Sequence, residues 1–147
     1  MATLHELVTP DSIRLDVSAG DWREAMRAAG ALLVSAGVSD DSYTESMIRN
    51  VEENGPYIVV APGIAFSHAR DEDNVHRTGL SWVRLQEPVN FGHESNDPVV
   101  LVAALAARNS SAHIMATKQM AALLDDPEKR EALRSAATPE DFRAALQ

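Results

Sequence analysis

Cysteine is absent from this chain, so it can form no disulfide, no thiolate metal site and no cysteine nucleophile. Aromatic residues make up only 5% of the 147 residues, which predicts a core built mainly from aliphatic side chains. The longest strongly apolar run, residues 99–107, is too short to span a bilayer. The first residues lack the basic and then apolar segments of a signal peptide. By exclusion, we expect a soluble, cytoplasmic protein.

Basic residues are also few, because 13 Lys and Arg stand against 22 Asp and Glu, a formal net charge of −9. An acidic surface without a basic stretch repels phosphate backbones, so nucleic-acid binding is not expected. The acidity suits a partner with a positive binding patch, although solubility alone explains it equally well. The length is typical of one domain, and no repeat or linker is visible, so we predict a single domain over residues 1–147.

Hydrophobic periodicity, caps and turn signals predict alternating strands and helices. The predicted extended segments are 13–17, 57–61, 64–66, 80–85 and 99–106, and the last of these, without polar alternation, should be buried on both faces. The predicted helices are 22–36, 39–54, 111–124, 127–135 and 139–146, and irregular segments are expected at 70–77 and 86–98. Strands separated by pairs of helices around one apolar strand predict an α/β layered fold with helices beside the sheet.

Histidine is the residue type here that can act both as a nucleophile near neutral pH and as an acid or base. The chain has no G-x-S-x-G elbow, no P-loop and no G-x-G-x-x-G fingerprint. None of the five histidines forms the i, i+4 pair of a helical zinc site, and His68 and His76 are separated by a predicted loop. We therefore expect neither a metal nor another cofactor.

His68 follows a short apolar strand at the point where the chain should leave the sheet, which is where α/β proteins place working groups. His113 lies in the first turn of a predicted helix, behind the candidate caps Asn109, Ser110 and Ser111. Free N–H groups and the positive end of the helix dipole attract phosphate there and favour a neutral imidazole. Two such histidines could hold a phosphoryl group between them. The alternative is that both are surface histidines without a role.

These residues lie in segments that resemble the fructose–mannitol class (type 2) of phosphotransferase enzyme IIA proteins, and most closely the ascorbate-type members. The resemblance covers nearly the whole chain. Its most specific parts are the segment 55–63 (GPYIVVAPG), the Ser67-His68 site and the segment 91–99 (FGHESNDPV). The fold that it implies is a mixed β-sheet flanked by helices, a layered sandwich of the mannitol-type IIA kind.

The resemblance also implies a function, that of a phosphohistidine carrier. The family histidine that matches His68 accepts a phosphoryl group from HPr and passes it to a IIB component, which feeds a membrane IIC transporter. His113 matches a second family histidine, which would stabilise the phosphate, and we expect Ser67 and Ser111 to bind it, Ser111 through the start of the helix. Arg70 is a weaker candidate for the same contact.

The chain departs from the family at one point, because a proline usually precedes the active histidine where this chain has Ser67. Proline would restrict the backbone that aims the ring, whereas serine loosens it and adds a donor. An arginine found upstream of the histidine in mannitol-type members has no counterpart at the corresponding spacing, which reaches Glu52; Arg49 is three residues earlier.

Two further groups have weaker interpretations. Asp71, Glu72 and Asp73 could pair with a basic donor protein, or could form a solvated loop. His93 and the Asn96-Asp97-Pro98 turn suggest a loop-ordering role.

Three functions stay open at this point: a transport component, a regulatory module phosphorylated on His68, and a non-catalytic binding protein of the same fold. The transported sugar cannot be assigned, since the IIC component selects it in the family. The oligomeric state also stays open, and a homodimer is one option, because residues 86–98 could cover this domain's core or a neighbour's.

Overall fold

Residues 3–147 are described by a computed structural model, in which a five-stranded mixed sheet has helices on both faces. The strands are β1 (Ile13–Val17), β2 (Val59–Ala61), β3 (Ile64–Ser67), β4 (Gly79–Val89) and β5 (Val99–Ala106). The α-helices are α1 (Leu4–Leu7), α2 (Trp22–Ser35), α3 (Asp41–Asn54), α4 (Ser110–Leu124), α5 (Pro127–Ser135) and α6 (Pro139–Ala144). Short 3-10 turns occur at Pro10–Ser12 and Glu72–Asn74.

The apolar strand β5 lies at the centre of the sheet, whose order is β1-β4-β5-β3-β2. It pairs antiparallel with β4 and parallel with β3. Every residue of β5 except Val100 is buried, as the missing polar alternation predicted. The predicted α/β layered sheet is therefore confirmed, and the parallel pairing of β3 with β5 brings the carboxyl ends of these two strands to the same edge.

Each face of the sheet has its own hydrophobic core. Helices α2 and α3 pack on one face, where Met26, Leu33 and Met47 are fully buried. Helices α1, α4, α5 and α6 pack on the other face, around Trp82 and Phe142, whose ring centroids are 5.3 Å apart. The two cores fix α3 and α4 on opposite sides of β3, the strand that precedes His68.

Most helix starts agree with the sequence signals. The Asp21 carboxylate accepts a hydrogen bond from the backbone N–H of Glu24, so it caps α2 as predicted. The predicted start of α3 at Ser39 is wrong, since the helix begins at Asp41 behind Asp40. Ser39 instead forms a β-bridge with Val75, which takes its backbone out of the helix.

Several predicted boundaries also needed correction. Strand β4 continues to Val89 instead of ending at residue 85, because it pairs with β5 again after a register shift, with Val89 opposite Val99. Strand β2 begins only at Val59, since residues 57 and 58 are in a turn. Helix α6 ends at residue 144 instead of 146, and the short helix α1 had no prediction.

Residues 90–98 form an irregular loop that is held by its own side chains. The Asp97 carboxylate accepts hydrogen bonds from the backbone N–H groups of Phe91, Gly92 and His93 at 2.7–3.0 Å. Nδ1 of His93 accepts from the N–H groups of residues 95 and 96, at 3.2 and 3.0 Å. The Asn96 amide donates to the Val59 carbonyl at 3.1 Å and so ties the loop to β2. These contacts give His93, Asn96 and Asp97 the loop-ordering role that the sequence suggested.

Candidate functional site

Two histidine rings lie together where β3 and β5 end. His68 directly follows β3, and His113 is the fourth residue of α4, the helix that follows β5. Their ring centroids are 4.7 Å apart, with an angle of 60° between the ring planes. The structure thus brings together the two histidines that the sequence singled out, because parallel neighbouring strands end at one edge.

Alternation along β3 decides which side chains face α4. The rings of Phe66 and His68 have centroids 5.9 Å apart and lie on the face covered by α4. Ser67, between them, pairs with Ala104 and belongs with it to the opposite face, next to α2 and α3. Ser67 is only 1% exposed, and its hydroxyl has no hydrogen-bond partner among the described residues. Its side chain is therefore on the other side of the strand from both imidazoles.

The amino terminus of α4 is capped by Asn109, whose side chain accepts from the backbone N–H of Ala112 at 2.9 Å. Ser110 and His113 share a hollow of ≈ 260 Å³, which we call the His113 hollow. Its other lining residues are Ala69, Arg70, Glu72 and Ile114. Ser111 opens instead onto a separate, apolar hollow with Leu7, Thr78 and Met115. Ser110 is therefore the serine of α4 beside His113.

The pKa of His68 is lowered to about 4, mainly by burial and in smaller part by the neighbouring His113 and Arg70. The pKa of His113 is also lowered, first by burial and then by Arg70. Both shifts favour the neutral ring, so both imidazoles are uncharged at neutral pH. A neutral imidazole keeps a lone pair with which it can act as a nucleophile.

In each ring, one nitrogen is buried without a hydrogen-bond partner among residues 3–147. Nδ1 of His68 and Nε2 of His113 are buried, and neither has a hydrogen-bond partner within residues 3–147. Buried polar atoms are normally paired, so two unpaired ones in adjacent rings mark a site instead of a structural contact.

On the α3 side, His68 borders an open groove of ≈ 850 Å³, here called the His68 groove. Its lining includes Arg49 and Asn50 of α3, Tyr57, and the loop residues Arg70 and Asp71. The acidic residues Asp41, Glu45 and Glu53 line it as well. Two guanidinium groups therefore share this groove with His68, within an otherwise acidic surface.

Arg49 is the site residue that sequence reasoning set aside, because its spacing from His68 did not match. The spacing is irrelevant in three dimensions, since α3 packs beside β3 and presents its polar face to the groove. The usable signal was that Arg49 is the single basic residue of α3, at helical i, i+3 and i, i+4 intervals from Ser46, Glu45 and Glu53.

The acidic residues after His68 differ in how exposed their side chains are. The Asp71 carboxylate accepts a hydrogen bond from the Ser46 hydroxyl at 2.7 Å and others from the Asn74 amide. Asp71 therefore joins the loop to α3. Glu72 and Asp73 are exposed.

Residues 3–147 contain neither a metal-binding cluster nor a membrane-spanning helix. Within that range, no group of three or more histidine and carboxylate side chains is placed to hold a metal ion. None of the helices in the same range is both long and apolar enough to cross a membrane.

The chain matches the family model described as "Phosphoenolpyruvate-dependent sugar phosphotransferase system, EIIA 2" over residues 6–147. It belongs to that family, so its class is that of the EIIA phosphotransferase components. The family and the enzyme class predicted from the sequence are both confirmed.

Individual relatives make the similarity more specific. The chain is 38% identical over 136 residues to the ascorbate-specific PTS system EIIA component of Salmonella typhimurium, covering 92% of this chain and 88% of the relative. It resembles the crystal structure of IIA mannitol from Escherichia coli with a TM-score of 0.83 and 29% identity, covering 95% and 99% of the two chains. It also matches, at a TM-score of 0.83 and 28% identity over 95% and 96%, a complex of Escherichia coli enzyme IIAMTL with phosphorylated enzyme IIBMTL. The predicted mannitol-type fold is thereby confirmed.

Proposed function

We propose that this protein carries a phosphoryl group on His68, which it accepts from HPr and passes to a IIB component. The observation that carries the proposal is the pair of adjacent neutral imidazoles, one of them at the start of a helix. His68 is the acceptor because it lies between the His68 groove and α4. His113 is the neighbour that stabilises the phosphate.

Transfer requires an in-line nucleophile and compensation of charge on the equatorial phosphate oxygens. Nδ1 of His68 is buried, so Nε2 is the nitrogen that an incoming phosphoryl group can reach. Its lone pair forms the new N–P bond as the N–P bond of the donor histidine breaks. The His68 ring then releases a proton while the donor ring takes one up, so the exchange consumes no net proton.

The phosphate charge would be met from two sides. His113, the Ser110 hydroxyl and the free amides of α4 lie on one side, and the guanidinium groups of Arg49 and Arg70 lie on the other. Ser67 and Ser111 stay predictions as phosphate-binding residues. Their placement away from the two rings leads us to expect smaller effects from them than from Ser110.

The partners follow from the relatives. A IIB acceptor is supported by the similarity to enzyme IIAMTL in its complex with phosphorylated enzyme IIBMTL. HPr as donor, a peripheral position at a membrane IIC transporter and a cytoplasmic location rest on the family resemblance, as does a single functional domain over the chain. The names of the curated relatives make ascorbate the first substrate to test. A homodimer would be compatible with the proposal.

The proposal is tested by incubating the protein with phosphoenolpyruvate, enzyme I and HPr, then measuring intact mass. We expect wild type to gain one acid-labile phosphate and His68→Ala to gain none. His93→Ala is the matched control and should be labelled like wild type. His93 also lies in a loop after a strand, but its ring accepts hydrogen bonds within that loop. An unlabelled wild type would refute the carrier function, and a labelled His68→Ala would refute the site.

A second step separates transport from regulation. The labelled protein is mixed with ascorbate-type and mannitol-type IIB components, and loss of its phosphate is followed. Rapid transfer to the ascorbate-type component supports a transport role with that substrate. Retention of the phosphate with both would favour the regulatory alternative.

A further inference from the structure

The peptide group that joins His68 to Ala69 is held at both of its ends by side chains of α3. The hydroxyl of Tyr43 accepts a hydrogen bond from the N–H of Ala69 at 3.0 Å. The amide of Asn50 donates to the carbonyl of His68 at 3.3 Å, a longer and weaker contact. The histidine ring makes no hydrogen bond of its own within residues 3–147, so its position depends on how firmly this backbone is held.

Tyr43 connects this segment to a second one. Its hydroxyl lies 2.6 Å from the carbonyl of Leu105 and 3.2 Å from that of Ala69. A phenol has one proton to donate, and the shorter distance indicates that the Tyr43 hydroxyl donates it to the carbonyl of Leu105. Burial raises the pKa of Tyr43 to about 12, so this proton is retained throughout the physiological range.

Leu105 lies near the end of β5, four residues before Asn109, the cap of α4. The single hydroxyl of Tyr43 therefore joins the chain just after His68 to the strand that leads to His113. Tyr43 is itself 1% exposed and is anchored in the core between α3 and the sheet. The core residue Tyr43 thus connects the two backbone segments that carry the imidazoles.

The connection through Tyr43 is relevant because the residue before His68 is not a proline. The residue before His68 is Ser67, which does not impose the fixed φ that a proline would impose. The Ser67 hydroxyl also makes no hydrogen bond among the described residues that could restrain the turn. Besides the pairing of Ser67 with Ala104 of β5, the described contacts that restrain this turn come from α3.

We propose that Tyr43 is a positioning residue for phosphoryl transfer, which holds His68 at its distance from His113 through the backbone of Ala69 and Leu105. Asn50 supplies a second, weaker tie. The proposal rests on His68 being the phosphoryl acceptor. It assigns Tyr43 no contact with the phosphate.

The test compares Tyr43→Phe with Ser81→Ala. Ser81 is a fitting control, because its buried hydroxyl lies on the same face of the sheet but donates to the Ala29 carbonyl of α2 at 2.7 Å and not to the segment of His68. Both substitutions delete one buried hydroxyl that bonds to backbone. Only the first should disturb the site.

For Tyr43→Phe, we expect a maximum transfer rate from phosphorylated HPr about tenfold below wild type with KM unchanged, since small displacements of a reacting group are costly. The pKa of His68, measured by NMR in the unphosphorylated protein, should rise from about 4 towards 6.5 as the ring becomes more hydrated. Ser81→Ala should lower thermal stability but leave the rate and this pKa at wild-type values.

The proposal is overturned if Tyr43→Phe loses stability alone, as Ser81→Ala does. Asn50→Ala, a change at a partly exposed position, gives a second test if Tyr43→Phe does not fold, with a smaller change in the same two quantities. A wild-type protein that accepts no phosphate would refute the proposed function instead. The NMR comparison would still decide whether Tyr43 positions the ring.

Discussion

Two loops of this protein follow strands and carry a histidine, and they use the ring in opposite ways. In the loop after β4, Nδ1 of His93 accepts two backbone hydrogen bonds, and Asp97 accepts three more. In the loop after β3, Nδ1 of His68 is buried without any partner among residues 3–147. The His93 ring helps to hold its loop through its own hydrogen bonds. At His68 the hydrogen bonds are made by the backbone, with the side chains of Tyr43 and Asn50.

Under the proposed function, the contrast shows what distinguishes a structural histidine from a reactive one. A ring whose lone pair accepts backbone N–H groups has its lone pair occupied and stabilises the fold. A neutral ring with unsatisfied nitrogens retains its lone pair for a reaction, at a cost in stability. Both residues are histidines in loops that follow a strand, His68 directly after β3 and His93 four residues after Val89. Their hydrogen-bond partners separate the two roles.

The largest effect that we expect is on the rate of phosphoryl transfer and comes from removing the ring beside His68. His113→Ala should lower the rate of phosphorylation of His68 about 100-fold, because it removes a preorganised group beside the developing charge. Single-turnover transfer from phosphorylated HPr measures it. His93→Ala serves as the control, with a rate close to wild type. Equal losses in both variants would contradict the division between the two loops.

The second effect is on stability and concerns the other loop. Asp97→Ala should lower the free energy of unfolding by about 2–3 kcal/mol, since three backbone N–H groups lose a charged acceptor. Urea denaturation measures this change. The phosphorylation rate of the folded variant should be unaffected. A stability equal to wild type would show that the loop does not depend on this carboxylate.

His68 and His93 should also differ in how they affect the pH dependence of stability. The pKa of His68 is about 4 in the folded protein against an ordinary value of 6.5, so the unfolded chain binds the proton more readily. The stabilising share is fully present above pH 6.5 and is lost as the pH falls towards 4. After discounting for solvent exposure, we expect His68→Gln to reduce this acid-induced loss by about 1–2 kcal/mol.

The measurement is a pair of urea titrations, one at neutral pH and one midway through that window, for wild type, His68→Gln and His93→Gln. Carboxylates titrate in the same range, so the difference between variants is the relevant quantity. If His68→Gln and His93→Gln changed the acid-induced loss equally, the depressed pKa of His68 would be excluded as its cause.

The smallest effect should come from His76, which is exposed. Nε2 of His76 lies 2.8 Å from the Asp40 carboxylate, with both side chains about half exposed. Exposed pairs contribute little, so His76→Gln should change the free energy of unfolding by less than about 1 kcal/mol at neutral pH. A larger loss in thermal or urea unfolding would show that the bridge between Ser39 and Val75 depends on this pair.

Much of the fold could be predicted from local patterns. The bounds of β5 and α5 agree with prediction residue for residue, because one is a continuous apolar run and the other starts with proline behind a capping aspartate. The end of β4 was missed, since residues 86–88 are exposed and fall within a register shift, after which Val89 pairs with Val99 of β5. Non-local pairing of this kind leaves no periodic signal.

The site was predictable in part. His68 and His113 stood out by their positions after apolar strands, and Asn109 was among the predicted caps. The face on which Ser67 lies and the choice of Ser110 over Ser111 beside His113 depend on strand alternation and helix phase relative to a partner element. Arg49 was set aside because its spacing from His68 did not match. That criterion failed because spacing along the chain does not show which side chains of α3 lie beside β3.

Local patterns in the amino-acid sequence were enough to predict the class of fold, the positions of most helices and strands, and the two histidines worth considering, because periodicity, caps and composition act locally. The assembled fold was needed to show that the two rings are 4.7 Å apart, that burial keeps them neutral, and that Tyr43 connects their supporting segments. These properties arise from desolvation and from contacts between residues distant in the chain, and neither exists until the sheet and its two helical layers have assembled.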